Sequence, residues 1–563
     1  MASAIIPSAN QEKLFYHSLH ILEQLYDPHM KLIRSEEATE SKEERHSTRD
    51  SIHFSLGLLL RKQDGDVEKA CDIISTVLDL QFTDEEEIYY GTFRSSPQAP
   101  VPPVGHFPWK QLGDGASYFI QNTFEKFQDL WLKQPSYQNA SNKEKQQLRA
   151  ELTSVFDQVI PPVWKSYDPN WREFIASTLA VILECFETLL PTELVQRIDE
   201  AMLHTVQGSI DRKQSESIPM NTNIELMHLF IADYYGARYD RLDWIAHTKQ
   251  TAKTFLQDMK EYGTFAEFNS STYYGVDLTV LGLIRKYSKL EEIRSFGQEV
   301  EAQLWQMIAL FYNAKLENLC GPFSRAYEMN MLDHSSLGIF LYIALGDEYE
   351  HLAADNCELA HNMLVTLLDI QLPQQSRHYF TDEQPARAVE IYYRELCERH
   401  APNHRRHPCK VTAWIEPRLM LGGIAGSQNS SGQLHPATIH WQAATGDNYY
   451  LRLLRREPNG HWSTHYFGIL YDVAVEKRTM EIVVDVHAEH DLEIYFEITG
   501  NGLSAATFSN GVWNLPGLQL TIKNQAVPQE IQQYSNRIEH IYTYHHQQGA
   551  QQLQLSIEAE LTN

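Results

Sequence analysis

The sequence predicts an (α/α)6 toroid of helical hairpins followed by a C-terminal antiparallel β-sandwich. From the start of the chain to about residue 400, apolar residues recur at the spacing of amphipathic helices, and these helices come in pairs. The first helices of successive pairs begin about 50 to 65 residues apart, which leaves room for a helix, a turn, a second helix and a return loop. Beyond that point, apolar and polar residues alternate in short runs. We therefore expect a toroid catalytic domain at residues 1–400 and a β-sandwich domain at residues 401–563.

Six helices that each follow a polar or aromatic loop would line the inner ring of the toroid. A second helix follows each of them, as in TELVQRIDEAMLHTVQ, and would form the outer ring. The same periodicity would also fit an irregular α-solenoid. A closed ring is favoured because it would gather the polar loops at one end of a central cavity, where the proline-rich insert at 91–110 would cover them. The first helices begin near His53, Ala116, Asn170, Asn223, Tyr274 and Ser335.

The C-terminal region has the pattern of paired antiparallel strands. Runs such as TMEIVVDVHAEHDLEIYFEITG and QQLQLSIEAELT alternate with a period of two, and the segments TGDN and PNGH are typical hairpin turns. Several short strands of this kind in about 150 residues favour a β-sandwich.

Composition and charge narrow the classes of function. The chain has 563 residues, 43% of them hydrophobic, which is ample for a large core. A formal net charge of −27 and a pI near 5.3 argue against nucleic acid or an anionic membrane as a partner, because such surfaces repel an acidic protein. We expect a small-molecule or oligosaccharide substrate, and the sequence does not indicate an oligomeric state.

A cytoplasmic location is expected from three features of the sequence. The N-terminal segment lacks the basic region and continuous apolar run of a secretory signal, and no window approaches the roughly 20 apolar residues of a membrane span. The six cysteines are scattered without a CxxC pair, which fits reduced thiols.

The stretch Gly263–Leu278, GTFAEFNSSTYYGVDL, carries the first set of candidate site residues. It combines the carboxylate of Glu267, the amide of Asn269 and the adjacent tyrosines Tyr273 and Tyr274, and a helix follows directly. Helix N-termini present unpaired N–H groups, so polar groups there can bind substrate oxygens. An amide can hold a carboxylate, and a tyrosine beside a cation can act as base and then as acid. The alternative is a structural loop in which the tyrosines pack, the asparagine caps the helix and the glutamate lies on the surface.

A second stretch, GPFSRAYEMNMLDH at residues 321–334, has the same character. Arg325 can clamp a carboxylate and lower the pKa of a nearby tyrosine such as Tyr327, and His334 can move protons near neutral pH. The alternative is a structural ion pair between Arg325 and Asp333, with Tyr327 in the core.

Four further residues are candidates for substrate binding. His53 and Asn223 lie at the start of inner helices, and Trp171 and Trp109 could stack on sugars. Helix capping explains most asparagines at such positions, and a lone tryptophan is more often a core residue. No GxGxxG motif follows a strand, and the chain has no GKS or GKT loop and no GxSxG elbow, so we expect no nucleotide cofactor. The scattered histidines lack metal-ligand spacing, and no metal is expected.

This layout resembles the polysaccharide lyases that combine a toroid with a β-sandwich, the group of heparinase II/III-like, alginate and chondroitin AC-type lyases. The resemblance implies a cleft with an asparagine that neutralises a uronate carboxylate, a tyrosine and a histidine for proton transfer, and an arginine. The matching residue types are Asn269, Tyr273 or Tyr274, Arg325, Tyr327 and His334. The two loop segments also resemble those of an uncharacterised fungal and bacterial protein family.

The first functional hypothesis is a carbon–oxygen lyase that cleaves a uronate-containing oligosaccharide or a related small metabolite by β-elimination. The second is a glycoside hydrolase on the same toroid, with two carboxylates as acid and base. A cyclase or isomerase of secondary metabolism with an aromatic cavity, and a binding protein with a degenerate site, are further alternatives. The hydrolase would draw its carboxylates from Asp168, Glu173, Glu267, Asp277 and Asp333.

Overall fold

The computed structural model describes residues 6–35, 45–99, 167–215, 220–396, 406–428, 433–458, 468–488, 491–524 and 529–562, with short pieces within 101–152 and 460–466. The predicted helix near Ala116 and the candidate Trp109 lie outside the described residues. None of the described helices combines the length and the apolar character needed to cross a membrane.

A helical N-terminal region precedes a large antiparallel sheet, as the sequence predicts. The helix Thr48–Arg61 shows how local chemistry sets the helix ends: the side chain of Ser47 accepts a hydrogen bond from the Asp50 N–H, and Lys62 ends the helix in the left-handed region. The longer helices of the chain are Ala9–Leu25, Thr48–Arg61, Asp66–Leu78, Trp171–Phe186, Thr192–Ser215, Thr222–Arg238, Leu242–Tyr262, Tyr274–Tyr287, Glu291–Phe311 and Leu337–Leu345.

First and second helices of the pairs differ in burial. Thr222–Arg238 is buried from Thr222 through Gly236, whereas Asp66–Leu78 buries mainly the stripe formed by Ala70, Ile73, Ile74 and Val77. A helix buried on all sides lies in the interior of its unit, and a helix with one apolar stripe lies at its outside. The difference agrees with inner and outer helices, while closure into a toroid stays a prediction.

The last predicted pair departs from the helical pattern. The segment predicted as a second helix, CELAHNMLVTLLDIQ, contains only the short turns Leu359–His361 and Asn362–Val365. The side-chain amide of Gln11 donates to the carbonyls of Val365, Thr366 and Leu368, at 3.2, 3.3 and 2.7 Å. The Val365 carbonyl also accepts from the Leu368 N–H, so this segment is held both by a local turn and by a donor from a distant part of the chain.

The chain forms two compact units that interleave in sequence. Unit 1 comprises Met1–Phe255, Asp277–Glu299 and Asp355–Ile370, and unit 2 comprises Leu256–Val276, Val300–Ala354 and Gln371–Asn563. The predicted boundary at residue 400 marks the change from helices to strands along the sequence, whereas the two units are defined by which segments pack together. The first strand of the sheet, Arg387–Leu396, lies before that boundary.

The sheet of unit 2 contains the strands β1 to β14, numbered in chain order, and all neighbouring strands are antiparallel. Their bounds are Arg387–Leu396, Arg406–Glu416, Leu419–Ser427, Ala437–Gln442, Asn448–Arg456, Ile469–Glu476, Thr479–Val486, Leu492–Thr499, Thr507–Ser509, Val512–Leu515, Leu518–Asn524, Gln529–Gln533, Arg537–Tyr544 and Gln551–Leu561.

The strand order is β9-β10-β11-β14-β7-β6-β3-β4-β5-β8-β13-β12, and β2 pairs with both β3 and β1. One edge of β3 is shared by two strands: Leu419 to Gly423 pair with β4, whereas Ala425 and Ser427 pair with β6. A strand that changes partner along its length lets a sheet turn from one layer into a second. The two-layer sandwich itself stays a prediction.

Strands β4, β5 and β8 are buried on both faces, and one of these faces is polar. The register places Thr438 beside Arg452, Arg452 beside Glu497, and Glu497 beside Glu539. Because side chains alternate between faces along a strand, directly paired residues share one face. Buried charged groups need partners, so this polar row requires a polar element of unit 2 to cover it.

Candidate functional site

The covering element is one of two loops of unit 2 that carry the predicted site residues. The first loop, residues 263–273, joins the helix Leu242–Tyr262 to the helix that begins at Tyr274. The second loop, residues 320–336, precedes the helix Leu337–Leu345. Phe323 of the second loop forms a β-bridge with His435, just before strand β4.

Side chains from both the first loop and the sheet hold the backbone of the second loop. Five consecutive carbonyls of the second loop, from Arg325 to Met329, each accept a hydrogen bond from a side chain. Side-chain donors from the first loop and from the sheet therefore fix this part of the second loop. The donors, in order along the carbonyls, are Ser270 Oγ, His435 Nε2 (2.8 Å), Arg452 Nη1 (2.7 Å), Ser271 Oγ (3.0 Å) and His440 Nε2 (3.1 Å).

Asn269 holds the two loops together. Its side-chain amide nitrogen donates to the carbonyls of Cys320 and Pro322, at 2.7 and 2.8 Å, and the residue is fully buried. Its backbone lies in the left-handed region at a φ of 48°, which asparagine tolerates better than most residues. Both N–H groups of the amide are therefore used within the fold, and contact of this residue with a substrate carboxylate stays a prediction.

The hydroxyl of Tyr274 also takes part in a hydrogen bond within its own loop. The residue is fully buried, and its hydroxyl accepts a hydrogen bond from the backbone N–H of Asn269 at 2.5 Å. A phenol oxygen that closes its own loop in this way is a poor candidate for proton transfer to a substrate. The adjacent tyrosines therefore differ, and Tyr273 is the better candidate.

Tyr273 lies against a buried ion pair. Arg325 Nη1 and Glu267 Oε1 are 2.6 Å apart, and the guanidinium carbon is 3.9 Å from the centre of the Tyr273 ring. The Glu267 side chain is only 1% exposed and holds Arg325 in this ion pair, and its part in substrate binding stays a prediction. Burial raises the pKa of Tyr273 well above its ordinary value, although Arg325 acts in the opposite direction. The side chain is therefore a protonated phenol at neutral pH.

Tyr327 and His334 of the second loop are stacked. Their ring centres are 4.1 Å apart with an angle of 25° between the planes, and the Tyr327 ring lies 6.3 Å from that of Tyr273. His334 has a φ of 47°, a backbone conformation that side-chain-bearing residues rarely adopt and that is common at functional sites. Arginine, two tyrosines and histidine from two loops thus meet in unit 2.

The sheet adds a residue that the sequence analysis missed. Arg452 bonds the Tyr327 carbonyl, and its Nε and Nη2 lie 2.8 and 2.7 Å from Glu497 Oε1. The Trp462 ring packs 4.8 Å from the guanidinium carbon. Both partners of the ion pair are 7% exposed. The sequence gave no sign that Arg452 holds the second loop, because its hydrogen bond to the Tyr327 carbonyl joins residues 125 positions apart.

Glu328 is a second missed residue with perturbed chemistry. It follows Tyr327 in the second loop and is partly buried. Burial raises the pKa of its carboxyl, Arg452 lowers it, and the neighbouring carboxylates of Glu497 and Asp333 raise it further. A carboxyl with a raised pKa beside candidate acid and base groups is itself a candidate for proton transfer.

The remaining predicted residues that the structure describes belong to unit 1. Trp171 Nε1 donates to Thr48 Oγ1 at 2.9 Å, and the Arg49 guanidinium lies 5.3 Å from the Trp171 ring and 5.2 Å from the Phe174 ring. A cation over aromatic faces of this kind is a common element of polar binding sites.

His53 packs edge-on against His361, with ring centres 5.3 Å apart and both residues buried. Neither ring nitrogen of His361 has a hydrogen-bond partner among the described residues. Burial lowers the pKa of His361 to about 4 and that of His53 well below its ordinary value, so both rings are neutral. Asn223 is buried in the first turn of Thr222–Arg238.

The fold and the site define a two-part protein, a helical region and an antiparallel sheet, with a cluster of tyrosine, arginine and histidine beside the sheet. The chain belongs to the DUF8769 family, described as a domain of unknown function, whose model matches residues 12–114 and 115–371. No curated protein matches the sequence.

Solved structures resemble the chain at low identity. Heparinase III is 10% identical, and the match covers 100% of this chain and 93% of that enzyme, with a TM-score of 0.34. The heparan sulfate lyase HepC from Pedobacter heparinus is 9% identical, over 98% of this chain and 88% of its own, with a TM-score of 0.28. The chondroitin AC lyase of Streptomyces coelicolor A3, solved with chondroitin sulphate, is 8% identical over 99% of this chain and 80% of its own, with a TM-score of 0.44.

Proposed function

We propose that this protein is a carbon–oxygen lyase that cleaves a uronate-containing oligosaccharide, or a related small metabolite, by β-elimination. The helical region would form an (α/α)6 toroid at residues 1–400, the sheet a β-sandwich at residues 401–563, and the protein would act in the cytoplasm. The class of reaction comes from the resemblance of the two loops and the layout to the toroid-plus-sandwich lyases.

The observation that carries the proposal is the meeting of Tyr273, Arg325, Tyr327 and His334. Elimination next to a carboxylate needs a cation for the charge that develops on the carboxylate, a base for the α-proton and an acid for the departing oxygen. Each of these groups is present within two loops of one unit.

The environments of the side chains suggest their roles. Arg325 would attract the uronate carboxylate and stabilise the enolate-like charge. Tyr273, whose raised pKa keeps it protonated, would donate its phenolic proton to the departing oxygen. Tyr327, stacked on His334, would give its own phenolic proton to the neutral imidazole while its oxygen takes the α-proton, which leaves a neutral phenol and an imidazolium. Asn269, Tyr274 and Glu267 would hold this geometry.

A glycoside hydrolase is the second candidate, and one observation favours it. Burial raises the pKa of Asp168 to about 6 and also raises that of Glu173, both in unit 1. A carboxyl that remains protonated near neutral pH is what a hydrolase uses as its general acid. This function would not depend on the tyrosines of unit 2.

The test is an assay of the full-length protein against a panel of uronate oligosaccharides, with the near-ultraviolet absorbance of the unsaturated product as the signal. We expect product from at least one uronate substrate, and a loss of about 100-fold or more in kcat in Tyr273→Phe and in Tyr327→Phe. Tyr534→Phe is the matched control, because this tyrosine is 41% exposed and its hydroxyl bonds only Gln532 among the described side chains. Uncleaved substrates across the panel would contradict the proposal.

A further inference from the structure

Unit 1 contains a chain of four hydrogen-bonded side chains that the proposed reaction does not use. Glu173, Ser209, His228 and His247 each come from a different helix: Trp171–Phe186, Thr192–Ser215, Thr222–Arg238 and Leu242–Tyr262. The first three are fully buried, and His247 is partly exposed. The chain therefore leads from the surface of the unit to a carboxylate in its interior.

The links of this chain are short. Ser209 Oγ is 2.6 Å from Glu173 Oε1 and 2.8 Å from His228 Nδ1. His228 Nε2 is 2.8 Å from His247 Nε2. All three distances are within the range of good hydrogen bonds.

When both histidines are neutral, the donors and acceptors of these side chains allow only two sets of directions for the three hydrogen bonds. Ser209 has one hydroxyl proton. If it donates to an ionised Glu173, it must accept from His228 Nδ1–H, and the bare His228 Nε2 must accept from His247 Nε2–H. If Glu173 is protonated and donates to Ser209, every bond reverses, and His228 Nε2–H donates to His247.

We propose that Ser209 and His228 conduct a proton between His247, at the surface of unit 1, and the buried Glu173. A protonated His247 passes its Nε2 proton to His228 Nε2, His228 passes its Nδ1 proton to Ser209 Oγ, and Ser209 passes its hydroxyl proton to Glu173 Oε1. The products are a neutral His247 with its proton on Nδ1, His228 in the Nε2–H tautomer and a neutral Glu173 carboxyl. One proton thus enters at His247 and one is stored on Glu173, and all four side chains are then neutral.

The charges around the chain suit a proton that moves in either direction. Arg212 Nη1 lies 3.8 Å from Glu173 Oε2 and, with Arg172, favours the carboxylate, whereas burial favours the neutral acid and raises the pKa of Glu173. Burial lowers the pKa of His228, with smaller contributions from His247, Lys213 and Arg212, so this ring is neutral and carries a second proton only in transit. The same effect, with a contribution from Lys213, lowers the pKa of His247.

Lys213 is itself neutralised by Glu225, at 2.5 Å, and Asp168 is a further carboxyl whose charge interacts with Glu173. Thr251 Oγ1, at 3.5 Å from His247 Nε2, is a further polar group at that end. The ionisable groups facing the chain thus oppose one another, and no single ion pair fixes the charge of Glu173.

The test uses the full-length protein without any substrate. Infrared difference spectra against Glu173→Gln report the protonated carboxyl, and nitrogen NMR of labelled histidine, assigned with His228→Gln, reports the tautomer of His228. Between pH 9 and pH 5 we expect the carboxyl band to appear together with the change from Nδ1–H to Nε2–H. After a rapid drop in pH, His247→Gln should slow the appearance of the band by about 100-fold, because the surface end of the chain is lost.

Ser209→Ala should separate the two signals, so that the tautomer of His228 no longer follows the carboxyl band. The matched control is Ser177→Ala, which removes another buried serine hydroxyl that lies outside the chain. This variant should behave like the wild type. The proposal is overturned if His228 keeps one tautomer while Glu173 titrates, if Glu173 stays in one form throughout, or if His247→Gln leaves the rate unchanged.

Discussion

Replacing Arg452 by methionine should destabilise unit 2 more than replacing Arg452 and Glu497 together. In the single variant, the Glu497 carboxylate stays buried without its partner, at a cost of about 3–5 kcal/mol, and the Tyr327 carbonyl loses its charged donor. In Arg452→Met with Glu497→Met, the uncompensated charge is gone. The remaining cost is that of the carbonyl, about 1–3 kcal/mol.

The assay is urea unfolding at pH 7, with hydrogen exchange at residues 325–329 to assign the change to the second loop. The matched control is the ion pair of Arg478 with Glu416 on the same sheet, where the arginine side chain is 43% exposed. Arg478→Met should cost less than about 1 kcal/mol. Equal losses of stability in the single and double variants at Arg452 would refute the reasoning, since the buried charge would then carry no penalty.

Three further predictions follow from buried polar groups and close packing. Burial lowers the pKa of His440 to about 4, below its unfolded value of about 6.5. The contribution of the neutral ring to stability is therefore complete above pH 6.5, and the free energy of unfolding falls by up to about 3 kcal/mol as the pH drops towards 4. His440→Gln should reduce this pH dependence in urea titrations, and an unchanged pH dependence would contradict the reasoning. Asn269→Ala should cost about 2–4 kcal/mol, measured by urea unfolding, because two buried carbonyls lose their donor; a loss below 1 kcal/mol would count against this reasoning. Gly422→Ala should lower the melting temperature, because the new Cβ would overlap the Gly321 carbonyl, and an unchanged melting temperature would show that the loop can move away.

Hydrophobic periodicity was sufficient to predict the helical region, the later sheet and the two polar loops, because these features depend on local spacing. The observed helix starts at Trp171, Thr222, Tyr274 and Leu337 lie within two residues of the predicted ones, whereas the helix predicted to start near His53 begins at Thr48. The short turns at residues 359–365 could not be predicted in this way, because this segment is also held by the side chain of Gln11, more than 300 residues away.

The candidate site was predicted in part for the same reason. Residue types could be read from the two loops, but the direction of each side chain depends on contacts across the chain. Tyr273 and Tyr274 are adjacent and chemically identical, yet the hydroxyl of only the second bonds the Asn269 N–H. The role of Arg452 depends on strand register, which places it beside Glu497, and on its hydrogen bond to the distant Tyr327 carbonyl, and neither leaves a local pattern.

The central claim is that the cluster of Tyr273, Arg325, Tyr327 and His334 cleaves by elimination. The most direct measurement is mass spectrometry of the products formed from a uronate oligosaccharide in heavy-oxygen water. Elimination predicts one unsaturated product, lighter by a molecule of water than the hydrolysis product, with no heavy oxygen incorporated, and no such product in Tyr327→Phe. A saturated product that contains one heavy oxygen, formed equally by the wild type and by Tyr327→Phe, would contradict the claim and favour hydrolysis by carboxylates of unit 1.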